Sequence, residues 1–93
     1  MGKIAKYRRK PIHLSVEAVK YEDSSPETLF KLKEFAGDNI YIDRKAVPPI
    51  VLVYTPSRAT EAKLGEYIYK NENGHFFPCD AGVFEKTYEK VEE

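Results

Sequence analysis

Gly65-Glu66-Tyr67-Ile68-Tyr69-Lys70-Asn71-Glu72-Asn73-Gly74-His75-Phe76-Phe77-Pro78-Cys79-Asp80 decides how this chain is read. Tyr67 to Lys70 has the aromatic and β-branched character of a strand. Asn73-Gly74 is the strongest short hairpin signal in the sequence, because both residues tolerate positive φ. His75-Phe76-Phe77 returns, and Pro78 ends donation to the ladder. Side chains alternate along a strand, so Tyr67 and Tyr69 share one face, Ile68 takes the other, and Phe76 and Phe77 point opposite ways. Both faces of the hairpin therefore carry aromatics. One face meets a core. The other is either covered as well or left open as a set of interface anchors. On the second reading Tyr67, Tyr69, His75 and Phe77 are candidate binding residues.

Downstream, Asp80 can cap a short helical turn through Val83-Phe84. Beyond it, Phe84, Tyr88 and Val91 fit helical spacing, whereas Thr87, Glu89 and Val91 fit a strand face. Upstream, the clearest element is a helix over about 25–36. Ser25 suits the N-cap, Pro26 the first helical position, and Glu27 the positive end of the dipole. Leu29, Leu32 and Ala36, with Phe35 beside them, form its apolar stripe, and Gly37 its stop. Ile12, Leu14, Val16 and Ala18 alternate as a half-buried strand, but the apolar phase then slips to Val19 and Tyr21. A bulge or a switch of face accounts for the slip. Ile40 to Ile42 reads as a short strand, Lys45 to Pro49 as a connection stiffened by two prolines, and Thr55 to Arg58 as a turn. Ile50 to Tyr54 is apolar without alternation, as in a strand covered on both faces. Thr60 to Leu64 can pair back, with Ala62 and Leu64 on one face. The sum is an α+β fold: one helix packed on a curved antiparallel sheet of about five strands, with a short C-terminal helical turn.

Length and composition narrow the class. Ninety-three residues suit a single domain over 1–93. A domain of that size buries only about 60–65% of its unfolded surface, which leaves stability modest. The chain is 42% hydrophobic and 32% charged, enough for a packed core and against global disorder. Formal net charge is zero, which argues against a nucleic-acid binder and is compatible with a homodimer. Residues 1–10 form a basic arm with a polar, frayed tip, and Arg8, Arg9 and Lys10 within it are candidate phosphate or partner contacts. A solvated arm that aids solubility is the more economical account. The longest apolar run, Val47 to Tyr54, is too short for a membrane span, and no apolar run follows the N-terminal charges as in a signal peptide. A cytoplasmic protein is the expectation.

Chemistry is sparse. Cys79 is the single cysteine, so neither an internal disulfide nor a multi-cysteine metal site is available. His75 and Cys79 supply at most one pair of metal ligands, where zinc takes three or four. Cys79 with His75 could imitate a nucleophile and its base, yet most lone cysteines are small buried hydrophobes. The carboxylates lie among lysines with no spacing that suggests two catalytic acids. The five glycines never cluster into a phosphate loop. The expectation is a non-enzymatic binding protein with no catalytic set, metal or cofactor.

Three stretches carry a resemblance: Gly65-Glu66-Tyr67-Ile68-Tyr69-Lys70; Gly74-His75-Phe76-Phe77-Pro78-Cys79-Asp80; and Val83-Phe84-Glu85-Lys86-Thr87-Tyr88-Glu89. They are similar to the C-terminus of a family of small phage and prophage proteins, roughly G-D-Y-I-I-K-G-x-x-G-E-F-Y-P-C-K-P-D-I-F-E-K-T-Y-E. Lys6-Tyr7-Arg8-Arg9-Lys10-Pro11 and Val16-Glu17-Ala18 resemble the family's N-terminal K-Y-R-K-K-P-V-x-V-E-A. The matching stretches cover somewhat under half the chain. Glu66 stands where the family has Asp, His75 where it has Glu, and Ala81-Gly82 where it has Pro-Asp. The resemblance implies a phage or prophage origin, a bacterial cytoplasm, and a tail that returns as a strand. It supplies no activity. With the absent chemistry it suggests an accessory protein that binds and antagonises a host factor, such as a CRISPR nuclease or another defence component. A protein that sequesters a small nucleotide and a minor virion or assembly component are the alternatives. The segment 39–63 matches the family only in its general strand pattern, so specificity could be read there instead of on the hairpin.

Overall fold

The computed structural model describes residues 4–9 and 15–90. In chain order its elements are β1 (Ala5–Arg9), β2 (Ser15–Lys20), α1 (Pro26–Ala36), a 3-10 turn (Gly37–Asn39), β3 (Ile40–Asp43), β4 (Ile50–Tyr54), β5 (Ala59–Ala62), β6 (Tyr67–Lys70), β7 (Phe76–Cys79), α2 (Ala81–Thr87) and β8 (Tyr88–Lys90). The fold is α+β.

The strands do not form one curved sheet. They divide into a five-stranded sheet of order β7-β6-β2-β1-β8 and a three-stranded sheet of order β3-β4-β5, both antiparallel throughout. The break falls where the chain leaves β2 for α1. The helix and the next three strands form one excursion, and the chain rejoins the first sheet only at β6. Ala5–Arg9, read from sequence as part of a basic arm, is an interior strand between β2 and β8.

Local chemistry sets α1 where the sequence reading put it. Ser25 is extended, and its side chain accepts from the Thr28 amide. The Asp23 carboxylate accepts from the Ser25 amide (2.9 Å) and the Thr28 hydroxyl (2.7 Å). Thr28 is the one buried polar side chain among the described residues, and these contacts satisfy its hydroxyl. Gly37, at φ 58, closes the helix by donating its amide to the Lys33 carbonyl. A side chain there would meet strain, because positive φ crowds a Cβ.

Two cores flank the five-stranded sheet. The first holds Val19, Ile68 and Phe76 from that sheet, Leu29, Leu32 and Ala36 from α1, and Ile40, Val51, Val53 and Ala62 from the three-stranded sheet, with Tyr21 among them. The second lies on the opposite face, where Val16, Ala18 and Tyr67 meet Phe84 of α2. The apolar slip in β2 follows from this arrangement. Its register against β6 runs unbroken from Glu17↔Lys70 to Lys20↔Tyr67, so no bulge is present there. Val16 and Ala18 feed one core, and Val19 and Tyr21 feed the other.

β4 departs from expectation in the opposite sense. Val51 and Val53 are buried, Ile50 and Leu52 are half-buried, and Tyr54 is exposed. A strand that reads as covered on both faces is covered on one.

Candidate functional site

The hairpin that dominates the sequence is mostly structural. Tyr67 is 7% exposed, and its ring stacks on Phe84 at 4.3 Å between centroids. Phe84 also stacks on Tyr88 at 4.7 Å and meets Tyr7 edge-on at 4.8 Å. The Tyr67 hydroxyl donates to Glu85 at 2.9 Å, and the Lys20 ammonium lies 5.6 Å from the Tyr67 ring centre. Burial, reinforced by the hydrogen bonds to Glu85 and Tyr7, raises the Tyr67 pKa well above its usual value. The side chain is a buried anchor for α2, not an outward-facing contact. Tyr69 and Phe77 are half-buried and pack on one another at 5.7 Å. Burial raises the Tyr69 pKa too, with Tyr88 and Cys79 adding to it.

The remaining sequence candidates scatter. His75 is exposed beside the turn, remote in role from the aromatic cluster, and its amide donates to Asn71 Oδ1. The turn spans Glu72 to Gly74, and its Gly74, at φ 83, donates its amide to the Asn71 carbonyl. It is thus a residue longer than the two-residue turn that Asn73-Gly74 suggests. Arg8 and Arg9 lie on β1, in the interior of the five-stranded sheet, and Lys10 lies outside the described residues. Burial raises the Cys79 pKa, with Asp80 and Glu66 adding to it, so the thiol stays protonated at neutral pH and is a poor nucleophile. No group of three or more potential metal ligands occurs among the described residues. No helix among them is long and apolar enough to cross a membrane.

Phe30 on α1 and Val83 on α2 are exposed singly, and a more continuous open apolar surface lies at the three-stranded sheet. A cleft of about 290 Å³ is lined by Ala46 to Ile50 on one side and Glu61 to Leu64 on the other, with Tyr21 at its base. The Tyr21 hydroxyl donates to the Pro49 carbonyl at 3.1 Å and ties the proline loop to the core. The Tyr21 amide donates to Glu66 O, and the Gly65 amide to Tyr21 O, which fixes the opposite wall. Burial, and then the Glu61 carboxylate, raise the Tyr21 pKa, so this floor is a neutral phenol. At the lip stand two large apolar side chains, Val47 at 96% and Leu64 at 55% exposed. Alternation in the sequence puts Leu64 on one face with Ala62, but the strand ends at buried Ala62 and the turn that follows leaves Leu64 exposed.

Beside the cleft is the outer face of the same sheet. Register places Tyr41, Leu52 and Glu61 in one row across β3, β4 and β5, with Asp43 and Ile50 in a row at the cleft end, and Tyr54 opposite Ala59 at the other. Tyr41 is 52% exposed and Tyr54 45%. Antiparallel sheets with one open face ordinarily turn polar residues to water. This one turns out two tyrosines, a leucine and an isoleucine. No family model, no curated protein and no solved structure matches the chain.

Proposed function

We propose that the chain is a non-enzymatic accessory protein of the phage type, which acts by binding and antagonising a host protein. On this reading the contact is made by the lip of the cleft, Val47 and Leu64, with Pro48, Pro49 and Ile50 around them. The observation that carries it is Val47. A β-branched residue at the tip of a proline-bound loop, almost fully exposed, gains nothing from folding. Single exposed apolar residues are common, but two on the rim of one apolar cleft form a patch, and such patches mark interaction sites. The phage attribution rests on the family resemblance in the C-terminal stretch.

Retention of host protein on immobilised chain tests the reading. Wild type should retain a defined host component, and Val47→Asp/Leu64→Asp should lose it with an unchanged melting temperature, because both side chains are exposed. Identical retention by the two would exclude the cleft as the contact. The small-nucleotide reading has one observation in its favour, a cleft whose volume approaches the ~300 Å³ lower end of ligand pockets. Ligand released on heat denaturation, identified by mass spectrometry, would favour it.

A further inference from the structure

We infer that a second copy of this chain covers the outer face of the three-stranded sheet, in a weak two-fold dimer whose axis runs along β4. None of Tyr41, Ile50, Leu52 and Tyr54 belongs to either core, although they form one continuous face. The occupant follows from charge. A two-fold axis along β4 lays β3 of each copy over β5 of the other and keeps the cleft ends together. Leu52 then meets Leu52, and Tyr54 meets Tyr54. Tyr41 comes over Glu61 of the other copy, where its hydroxyl can donate to the carboxylate. The β4–β5 ladder ends at Val51↔Ala62; continued by one step it sets Lys63 beside Ile50, and Lys63 then comes over Asp43 of the other copy. Every charge on the face thereby meets an opposite charge or a donor. The other in-plane axis, across the strands, sets Glu61 against Glu61 and leaves Asp43 without a cation. Twist rotates packed sheets by roughly 30°, which keeps the central rows closest.

Area sets the strength. Three strands spaced ~4.8 Å apart and five residues long at ~3.4 Å each give a face of roughly 14 by 17 Å. Stable interfaces use ~800 Å² per partner, so this one belongs with weak, reversible contacts. Zero net charge offers no long-range repulsion against it. Both clefts fall at the same end of such a dimer, which would present two copies of the partner-binding lip side by side. That consequence rests on the partner-binding reading; the dimer does not.

Sedimentation velocity on the full chain, from micromolar to submillimolar concentration, tests the dimer without any host protein. Wild type should shift reversibly from monomer to dimer as concentration rises. Leu52→Glu and Tyr54→Glu should each weaken association about tenfold or more while leaving the fold intact, since neither side chain is in a core. Asp43→Lys and Lys63→Asp should each weaken it, and the double variant should restore it. A chain that stays monomeric throughout, or a dimer indifferent to Leu52→Glu and Tyr54→Glu, overturns the proposal. Failure of the charge-swapped double variant to regain the dimer overturns the two-fold arrangement. Loss of host retention in the cleft variants with dimerisation intact would bear on the partner-binding reading alone.

Discussion

The two sheets treat their faces differently. In the five-stranded sheet the central strands are sandwiched: β2 and β6 send Val19 and Ile68 to the core shared with α1, and Val16, Ala18 and Tyr67 to the core beneath α2. In the three-stranded sheet Val51, Val53 and Ala62 face that shared core, while Tyr41 and Tyr54 are exposed on the outer face with half-buried Leu52 between them. The sequences suggest the reverse. β2 looks like a half-buried strand with a fault in its alternation, and β4 looks like a strand buried on both sides. Hydrophobicity on a strand face reports that the face avoids water in some state of the protein. It does not say whether the cover comes from the same chain. Where the apolar face of β4 finds none among the described residues, the simplest expectation is cover from a second copy.

The largest effect that tests this contrast is at Phe84. It is fully buried on the second face of the five-stranded sheet and is the ring on which Tyr7, Tyr67 and Tyr88 converge. Phe84→Ala should cost about 3–5 kcal/mol in denaturant unfolding, because transfer and cavity terms add. A loss below about 1 kcal/mol would mean that α2 adds little to the sandwich, and the contrast between the sheets would fail.

A finer test lies within β4. Val53→Thr and Leu52→Thr each place a hydroxyl on neighbouring residues of one strand. At Val53 the hydroxyl enters the core without a partner, which should cost about 1–3 kcal/mol. At half-buried Leu52 the hydroxyl reaches water, and the loss should stay near 1 kcal/mol or less at concentrations where the chain is monomeric. Equal losses would show that the outer face is covered within the chain.

Tyr67→Phe should give a smaller effect, about 0.5–1.5 kcal/mol for the lost hydrogen bond to Glu85. Its pH dependence is more specific. The folded pKa is raised above 10.0, so the phenol's contribution is complete below pH 10 and declines as pH rises further, where the unfolded chain ionises first. Alkaline unfolding titrations of wild type should therefore lose stability more steeply than those of Tyr67→Phe. Parallel curves would mean that the phenol ionises alike in both states.

The fold was legible in the sequence where local chemistry decides it. Ser25, Pro26 and Gly37 delimit α1 by capping alone, and Asn73-Gly74 marks the hairpin turn, whereas β7 runs through Pro78 to Cys79 because it is an edge strand, where a missing donor is tolerated. The division into two sheets was not legible, because alternation tells which face is apolar and not what it packs against. The slip at Ala18-Val19 was a signal of two cores that reads equally well as a bulge. The candidate site was missed for a related reason. Val47 and its prolines read as a connection, and Leu64 read as a continuation of Ala62. A large apolar residue followed by two prolines in a loop is the available clue, since a connection has no use for it. The aromatics of the hairpin drew attention because surface and core both use tyrosine. Only the placement of α2 over Tyr67 separates the two uses.

The smallest expected effect belongs to neither sheet and serves as their control. Asp23 accepts from the Ser25 side chain and amide and from the Thr28 hydroxyl, which hold its pKa at about 2 against 3.8. Between those values the unfolded chain binds a proton that the native chain does not, so the stability this carboxylate contributes is complete above pH 3.8 and is lost as pH falls toward 2. Asp23→Ala should flatten that acid limb of the unfolding curve and leave the alkaline limb, to which Tyr67 contributes, unchanged. Its cost at neutral pH depends on Thr28, the buried hydroxyl it would leave without its carboxylate partner. Leaving the buried Thr28 hydroxyl without this acceptor is costly even though Asp23 itself is exposed, whereas removing the hydroxyl as well takes that cost away. The loss should therefore shrink when Asp23→Ala is made in a Thr28→Val background. An undiminished loss in the double variant would mean that Asp23 acts on the helix end by its charge alone, and the buried hydroxyl would need no partner from the loop before α1.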